Sequence, residues 1–157
     1  MNSQKNNAHD YAASVGFALL AFLIIFSFFR FPLAGIFPNL FLVFVVLLSF
    51  FVQRLAFYSL FGLVGFLWTR FSPFFEVEYF VLLVISILFF FVFRYFVFSR
   101  SLLILIVSFL GAQIVFWAFS YGVHVIISFS FLVEFLYNSV VGLVMYALTL
   151  WLVKTSF

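Results

Sequence analysis

Few residues in this chain have the chemistry to do more than pack. Glu134 and Asn138 stand four apart, a spacing that places both on one face of a helix. Met145 and Thr149 continue the same stripe. A carboxylate inside an apolar span costs roughly 2–4 kcal/mol on insertion scales unless it is paired or protonated. Two readings follow. Glu134 and Asn138 turn into a bundle interior, bonding to each other or to Gln113, as a buried polar or partner-contact set. Alternatively, Glu134 sits wetted in the first turn of a helix starting at Phe131, where the helix dipole favours an anion. Gln113 and Tyr137 are the remaining polar side chains that could converge with them.

The other candidates are thinner. Glu76 and Glu78 flank Val77, a pairing suited to acid–base work or a cation site, but no third acid stands near and a solvated loop explains them. His9 and His124 are far apart and lack ligand spacing. The absence of cysteine excludes disulfides, thiolate metal sites and a cysteine nucleophile. No phosphate-binding glycine loop, zinc-helix motif or serine elbow can be read. The residues therefore predict no catalytic, cofactor or metal site, and a protein that is not an enzyme.

The elements that would position these residues are set by composition. Hydrophobic residues make up 69% of the 157 positions and charged residues only 7%. A soluble domain carries about 25% charged residues, so this chain needs lipid as its solvent. The expected fold is an all-α integral membrane protein, a bundle of about six transmembrane helices with five as the alternative count. The 31 phenylalanines are explained by compositional bias. The net charge of +3 is dispersed, which argues for orientation in a bilayer rather than for nucleic acid.

Residues 1–10 read as a polar cytoplasmic tail, too polar for a signal peptide, and 11–157 as one polytopic domain. Charges and prolines divide that domain. The first segment is 11–29, followed by a break at Arg30, Pro32, Gly35 and Pro38. The second is 39–52, with a start as early as Leu33 open, then a tight turn at Gln53 and Arg54. The third is 55–69, ahead of a polar loop holding Arg70, Ser72, Pro73, Glu76 and Glu78. The others are 79–98, 102–121 and 131–153, with an apolar connection over 122–130. Fifteen residues reach only about 22 Å against a core of about 30 Å, so segments two and three are thin spans or a hairpin packed within the bundle.

Six spans with a cytoplasmic N-terminus leave Lys5, Arg54, Arg94, Arg100 and Lys154 inside and Arg30 and Arg70 outside, so both termini are expected in the cytoplasm. Trp68, Trp117 and Trp151 lie near segment ends, where interfacial anchors belong. Small residues at Ala12/Gly16, Gly62/Gly65 and Ser108/Gly111/Ala112 are read as helix-packing faces.

The order of these features resembles the rod-shape-determining protein MreD family of bacterial inner-membrane proteins. Gly35-Ile-Phe-Pro38-Asn39-Leu40 looks like the family's Pro-Asp-Leu entry to its second span. Gly62-Leu-Val-Gly65-Phe-Leu-Trp-Thr69, followed by Phe71-Ser72-Pro73, is similar to its glycine-rich third span and terminal loop. Glu134-Phe-Leu-Tyr137-Asn138-Ser-Val-Val-Gly142, with Lys154 at the end, looks like its last span. The family usually has Asp where this chain has Asn39 and Thr69, and a Pro-Leu-Gly opening of the next span is absent here. The resemblance implies a non-enzymatic component of the cell-elongation machinery, partnered by lipid and by an MreC-like membrane protein. The alternatives are a substrate-binding subunit like that of energy-coupling-factor vitamin transporters, whose fold the family resembles, and a hydrophobic subunit of an organellar membrane complex.

Overall fold

The computed structural model describes residues 2–28, 38–69, 77–95, 101–122, 126 and 128–156. Arg30, Pro32, Gly35, Arg70, Ser72, Pro73, Glu76, Arg100 and His124 lie outside the described residues, as do the side chains of Lys5, His9 and Lys154. Among the described residues the chain is all-helical. The elements are α1 (Asn2–Phe28), α2 (Leu40–Phe51), α3 (Leu55–Thr69), α4 (Val77–Tyr95), α5 (Leu102–Ser120) and α6 (Phe129–Ser156).

The continuous apolar runs and their punctuation explain these bounds. Ser101 caps α5 by accepting from Ile104 N at 3.3 Å, and Ser128 does the same for Phe131 N at 3.2 Å ahead of α6. Gly122, at φ 93°, supplies the left-handed residue that lets the chain leave α5. The α2–α3 turn falls at residues 52–54, around Gln53 and Arg54 as expected. Two ends run further than hydropathy alone indicated. Helix α1 starts at Asn2, within the stretch read as a polar tail, and α6 starts at Phe129 and runs to Ser156. Hydropathy marks what lipid accepts, whereas backbone hydrogen bonding continues a helix into water.

Three helical stretches are long and apolar enough to cross a membrane: Tyr11–Phe28, Leu102–Ser120 and Phe129–Leu152. The outward faces of α3, α4 and α5 carry large bare side chains, including Leu63, Phe80, Ile87, Leu103 and Val107. A surface so apolar over several helices is compatible with a membrane protein.

The architecture is organised around α2. All twelve of its residues are buried, and it packs against α1, α3, α4, α5 and α6. A helix apolar on every side has no face for solvent and becomes the centre of a bundle. Of the hairpin expected over the two short segments, only α2 is packed within the bundle. Helix α3, by contrast, buries Tyr58, Phe61, Gly62 and Gly65 and turns its leucines outward.

Aromatic rings fill notches left by glycines. Phe61 of α3 lies against Gly16 of α1, Phe44 of α2 against Gly65 of α3, and Phe109 of α5 against Gly142 of α6, each where a Cβ would overlap the ring. Gly62 is different: nothing lies within 4 Å of where its Cβ would stand. Small residues let neighbouring helices interlock with the large rings of their partners.

Candidate functional site

A buried post of twelve residues is only about 18 Å long. Its first turn is buried with the rest of the helix, so the free N–H groups there need partners from side chains. The sequence answers with polar side chains at both ends of α2.

At the N-terminal end, Asn39 is the cap, and its Oδ1 accepts from Leu42 N at 3.2 Å. Its own backbone N–H donates to Asn138 Oδ1 of α6 at 2.8 Å. The Asn138 amide then donates to Gln113 Oε1 of α5 at 2.7 Å. One helical turn before Asn138, Glu134 Oε2 accepts from the Trp117 indole of α5 at 2.9 Å. The Gln113 and Asn138 side chains also face the Glu134 carboxylate. Gln113 Nε2 itself has no hydrogen-bond partner among the described residues.

Burial here is deep: Gln113 and Asn138 are 0% exposed and Glu134 8%. The same face of α6 continues inward through Met145 and Thr149, both fully buried. The opposite face presents Leu136, Val140 and Ala147 outward. Because α6 starts at Phe129, Glu134 sits beyond the first turn, and the wetted first-turn reading does not hold. The three side chains singled out in the sequence, Glu134, Asn138 and Gln113, are brought together in one cluster.

Two members of the cluster were not foreseen. Trp117 is buried beside Glu134 and packs edge-on to Phe131 at 5.6 Å, so it is not an interfacial anchor. Its position near a segment end suggested an anchor, but an indole N–H settles equally on a carboxylate. Asn39 was read only as the entry to a span. A helix-capping residue next to a proline was the available signal for its role.

The C-terminal end of α2 carries a second node. The Tyr58 hydroxyl of α3 donates to Ser86 O of α4 at 2.7 Å and lies 2.9 Å from Ser86 Oγ. Ser49 Oγ of α2 lies 2.8 Å from Val45 O and 3.2 Å from Tyr58 OH. This node ties α2, α3 and α4 together, and a tyrosine in an otherwise apolar segment was its sequence signal.

Glu78 belongs to the first turn of α4 rather than to a loop, and it accepts from the hydroxyl of Tyr121, the residue that caps the end of α5, at 2.6 Å. An acid in the first turn suits the helix dipole. Tyr137, proposed as a possible fourth contributor, is half-buried on α6.

Chemically, the cluster contains one carboxylate, two amides and an indole. Among the described residues no three His, Cys, Asp or Glu side chains gather as a metal site. The hydrogen bonds run from α2 to α6 and from α6 to α5, so the cluster fixes the relative depth of three helices. No protein-family model matches the chain, and comparison with curated proteins and with solved structures returned no match.

Proposed function

We propose that the chain is a non-enzymatic membrane scaffold of the bacterial cell-elongation machinery, of the kind the resemblance to the MreD family implies. In this reading all six helices lie in the inner membrane, with both termini in the cytoplasm. The outer helices present an apolar surface to lipid and to an MreC-like partner.

One observation carries the reading. Two of the segments on which the resemblance rests, the Pro38-Asn39-Leu40 entry and the Glu134 to Gly142 stretch, meet directly through the Asn39–Asn138 hydrogen bond. A scaffold requires helices held at fixed depth, and the buried polar groups serve that end. The transport-subunit alternative instead needs polar groups converging on a cavity. Glu134, Asn138 and Gln113 face one another.

The test is co-purification from membranes with an MreC-like protein of the same genome, joined to depletion of this chain in the living cell. The expected outcome is a stable complex and loss of rod shape on depletion. Normal shape without the chain, together with no recovery of the MreC-like protein, would refute the proposal.

A further inference from the structure

Helices α3 and α4 both pack against α2, yet among the described residues they share no extended contact with each other. The ring of helices around α2 is therefore open on one side, and the opening is a groove of about 220 Å³. Phe41 and Tyr58 are buried at its base, while Leu55, Leu63, Ile87 and Phe91 stand exposed along its walls. Gly62 is also in the wall, and nothing lies within 4 Å of where its Cβ would stand. The chain fills its other tight glycine notches with its own rings and leaves this one open.

The width of the groove decides what enters. Its walls run from Leu55 to Leu63 and from Leu83 to Phe91, each about 12 Å of helix. The volume over that length gives a section of about 18 Å². An α-helix with its side chains, about 10–12 Å across, has about five times that section and would rest on the rims. A single hydrocarbon chain fits inside. In a bilayer the medium at these bare leucines and phenylalanines is hydrocarbon rather than water.

Charge at one end of the groove selects the lipid. Tyr58 meets both Ser86 and Phe90, so the start of α3 and the end of α4 share that end. Arg54 directly precedes Leu55. The guanidinium carbon of Arg94, in the last turn of α4, is 5.8 Å from the centre of the Phe90 ring, which also lines the groove. Neither arginine forms an ion pair among the described residues. Glu76 and Glu78 stand at the start of α4, Glu134 receives the Trp117 indole, and Asp10 of α1 is offset in charge by Lys5 of the same helix. The stretch 96–100 that follows Arg94 holds Arg100 and no acid. Guanidinium groups without carboxylates suit a phosphate, which they bind through paired N–H donors, and they repel the ammonium of a zwitterionic head group.

We infer that the groove between α3 and α4 holds one acyl chain of an anionic phospholipid, whose phosphate Arg54 and Arg94 bind. The inference rests on α3 and α4 lying in a bilayer, as proposed above, and is independent of any role in cell elongation.

The test uses the full chain, extracted from membranes in detergent, with native mass spectrometry of retained lipid. Phosphatidylglycerol and phosphatidylethanolamine of matched acyl chains are offered at equal concentration, and glycerol 3-phosphate in a separate arm. Phosphatidylglycerol should be retained above phosphatidylethanolamine and should not be displaced by equimolar glycerol 3-phosphate. Joint Arg54→Gln and Arg94→Gln should lower phosphatidylglycerol retention about tenfold, the worth of one hydrogen bond to a charged group. Gly62→Leu keeps both arginines but occupies the groove, and should lower retention of both lipids severalfold. Val107→Leu, on the outward face of α5, should change neither. Circular dichroism checks that each variant is folded; if Gly62→Leu is not, Ser59→Leu on the same wall takes its place with the same expectation. Equal retention of the two lipids by the wild type would overturn the inference, as would wild-type retention in the folded groove variant or in the arginine variant. A dimer that is lost with Gly62→Leu would show that a second copy covers the groove, and would overturn it too. Recovery of the chain from the soluble fraction would overturn the membrane placement along with the site, whereas loss of lipid selectivity alone would leave that placement standing.

Discussion

Asn138 Oδ1 accepts the backbone N–H of Asn39 at 2.8 Å, across 99 positions of sequence, and so satisfies the cap residue at the start of a buried helix. The interaction is unequal. Asn138 could be replaced by many side chains that pack, but the Asn39 N–H cannot be removed and would remain buried.

Replacing Asn138 by leucine should therefore destabilise the protein by about 1–3 kcal/mol, the penalty of a stranded buried donor. That exceeds the average of about 0.6 kcal/mol for hydrogen bonds between membrane helices, because the buried Asn39 N–H loses its acceptor and Gln113 loses its Asn138 donor together. Thermal unfolding in detergent, followed by tryptophan fluorescence, would register it. A melting temperature equal to that of the wild type would show that the Asn39–Asn138 bond is dispensable.

Glu134 should distinguish between neutral and cationic substitution. Glu134→Gln retains an oxygen for the Trp117 indole and should fold with near-normal yield. Glu134→Lys places an ammonium against that same N–H donor, and an unpaired buried cation carries about 2.5–3.5 kcal/mol on insertion scales. The yield of monodisperse protein after membrane extraction is the readout, and similar yields for the two variants would contradict the buried placement.

The glycines should separate by what they face. Gly142→Ala drives a methyl group into the Phe109 ring and should cost about 1–3 kcal/mol by overpacking. Gly62→Ala meets nothing within 4 Å and should be neutral, or stabilising by up to about 1 kcal/mol through helix propensity. Combining Gly142→Ala with Phe109→Leu should recover part of the loss. Melting temperatures of the four proteins decide the matter, and an equal effect of the two alanines would count against the ring-in-notch packing.

Tyr58→Phe should remove the bonds to Ser86 and Ser49 while keeping the ring against Phe90, 4.7 Å away. A loss of about 1 kcal/mol is expected. Amide hydrogen exchange should rise first where α3 and α4 meet the C-terminal end of α2, and uniform exchange across the chain would contradict a local tie.

For topology, a reporter fused after Lys154 should report cytoplasm, and one in the 70–76 segment the opposite side. The basis is the excess of basic residues assigned inside. A periplasmic signal at Lys154 would reverse the orientation.

The sequence by itself determined the helical class, the six segments and most of their limits, because a long apolar run satisfies its backbone as a helix and because the prolines and most of the charges fall between such runs. It also singled out Glu134, Asn138 and Gln113, since polar side chains in such runs are few enough to count. Tertiary structure decided the rest. That α2 is the central post depends on five other helices having surfaces that fit it. Segment 40–51 is more apolar than 55–69, but hydropathy along one stretch of sequence does not say which of two apolar helices the others will surround. The partnerships of Asn39 with Asn138 and of Trp117 with Glu134 join residues on different helices. They became visible only once packing fixed the depth of each helix and stranded those donors beside those acceptors.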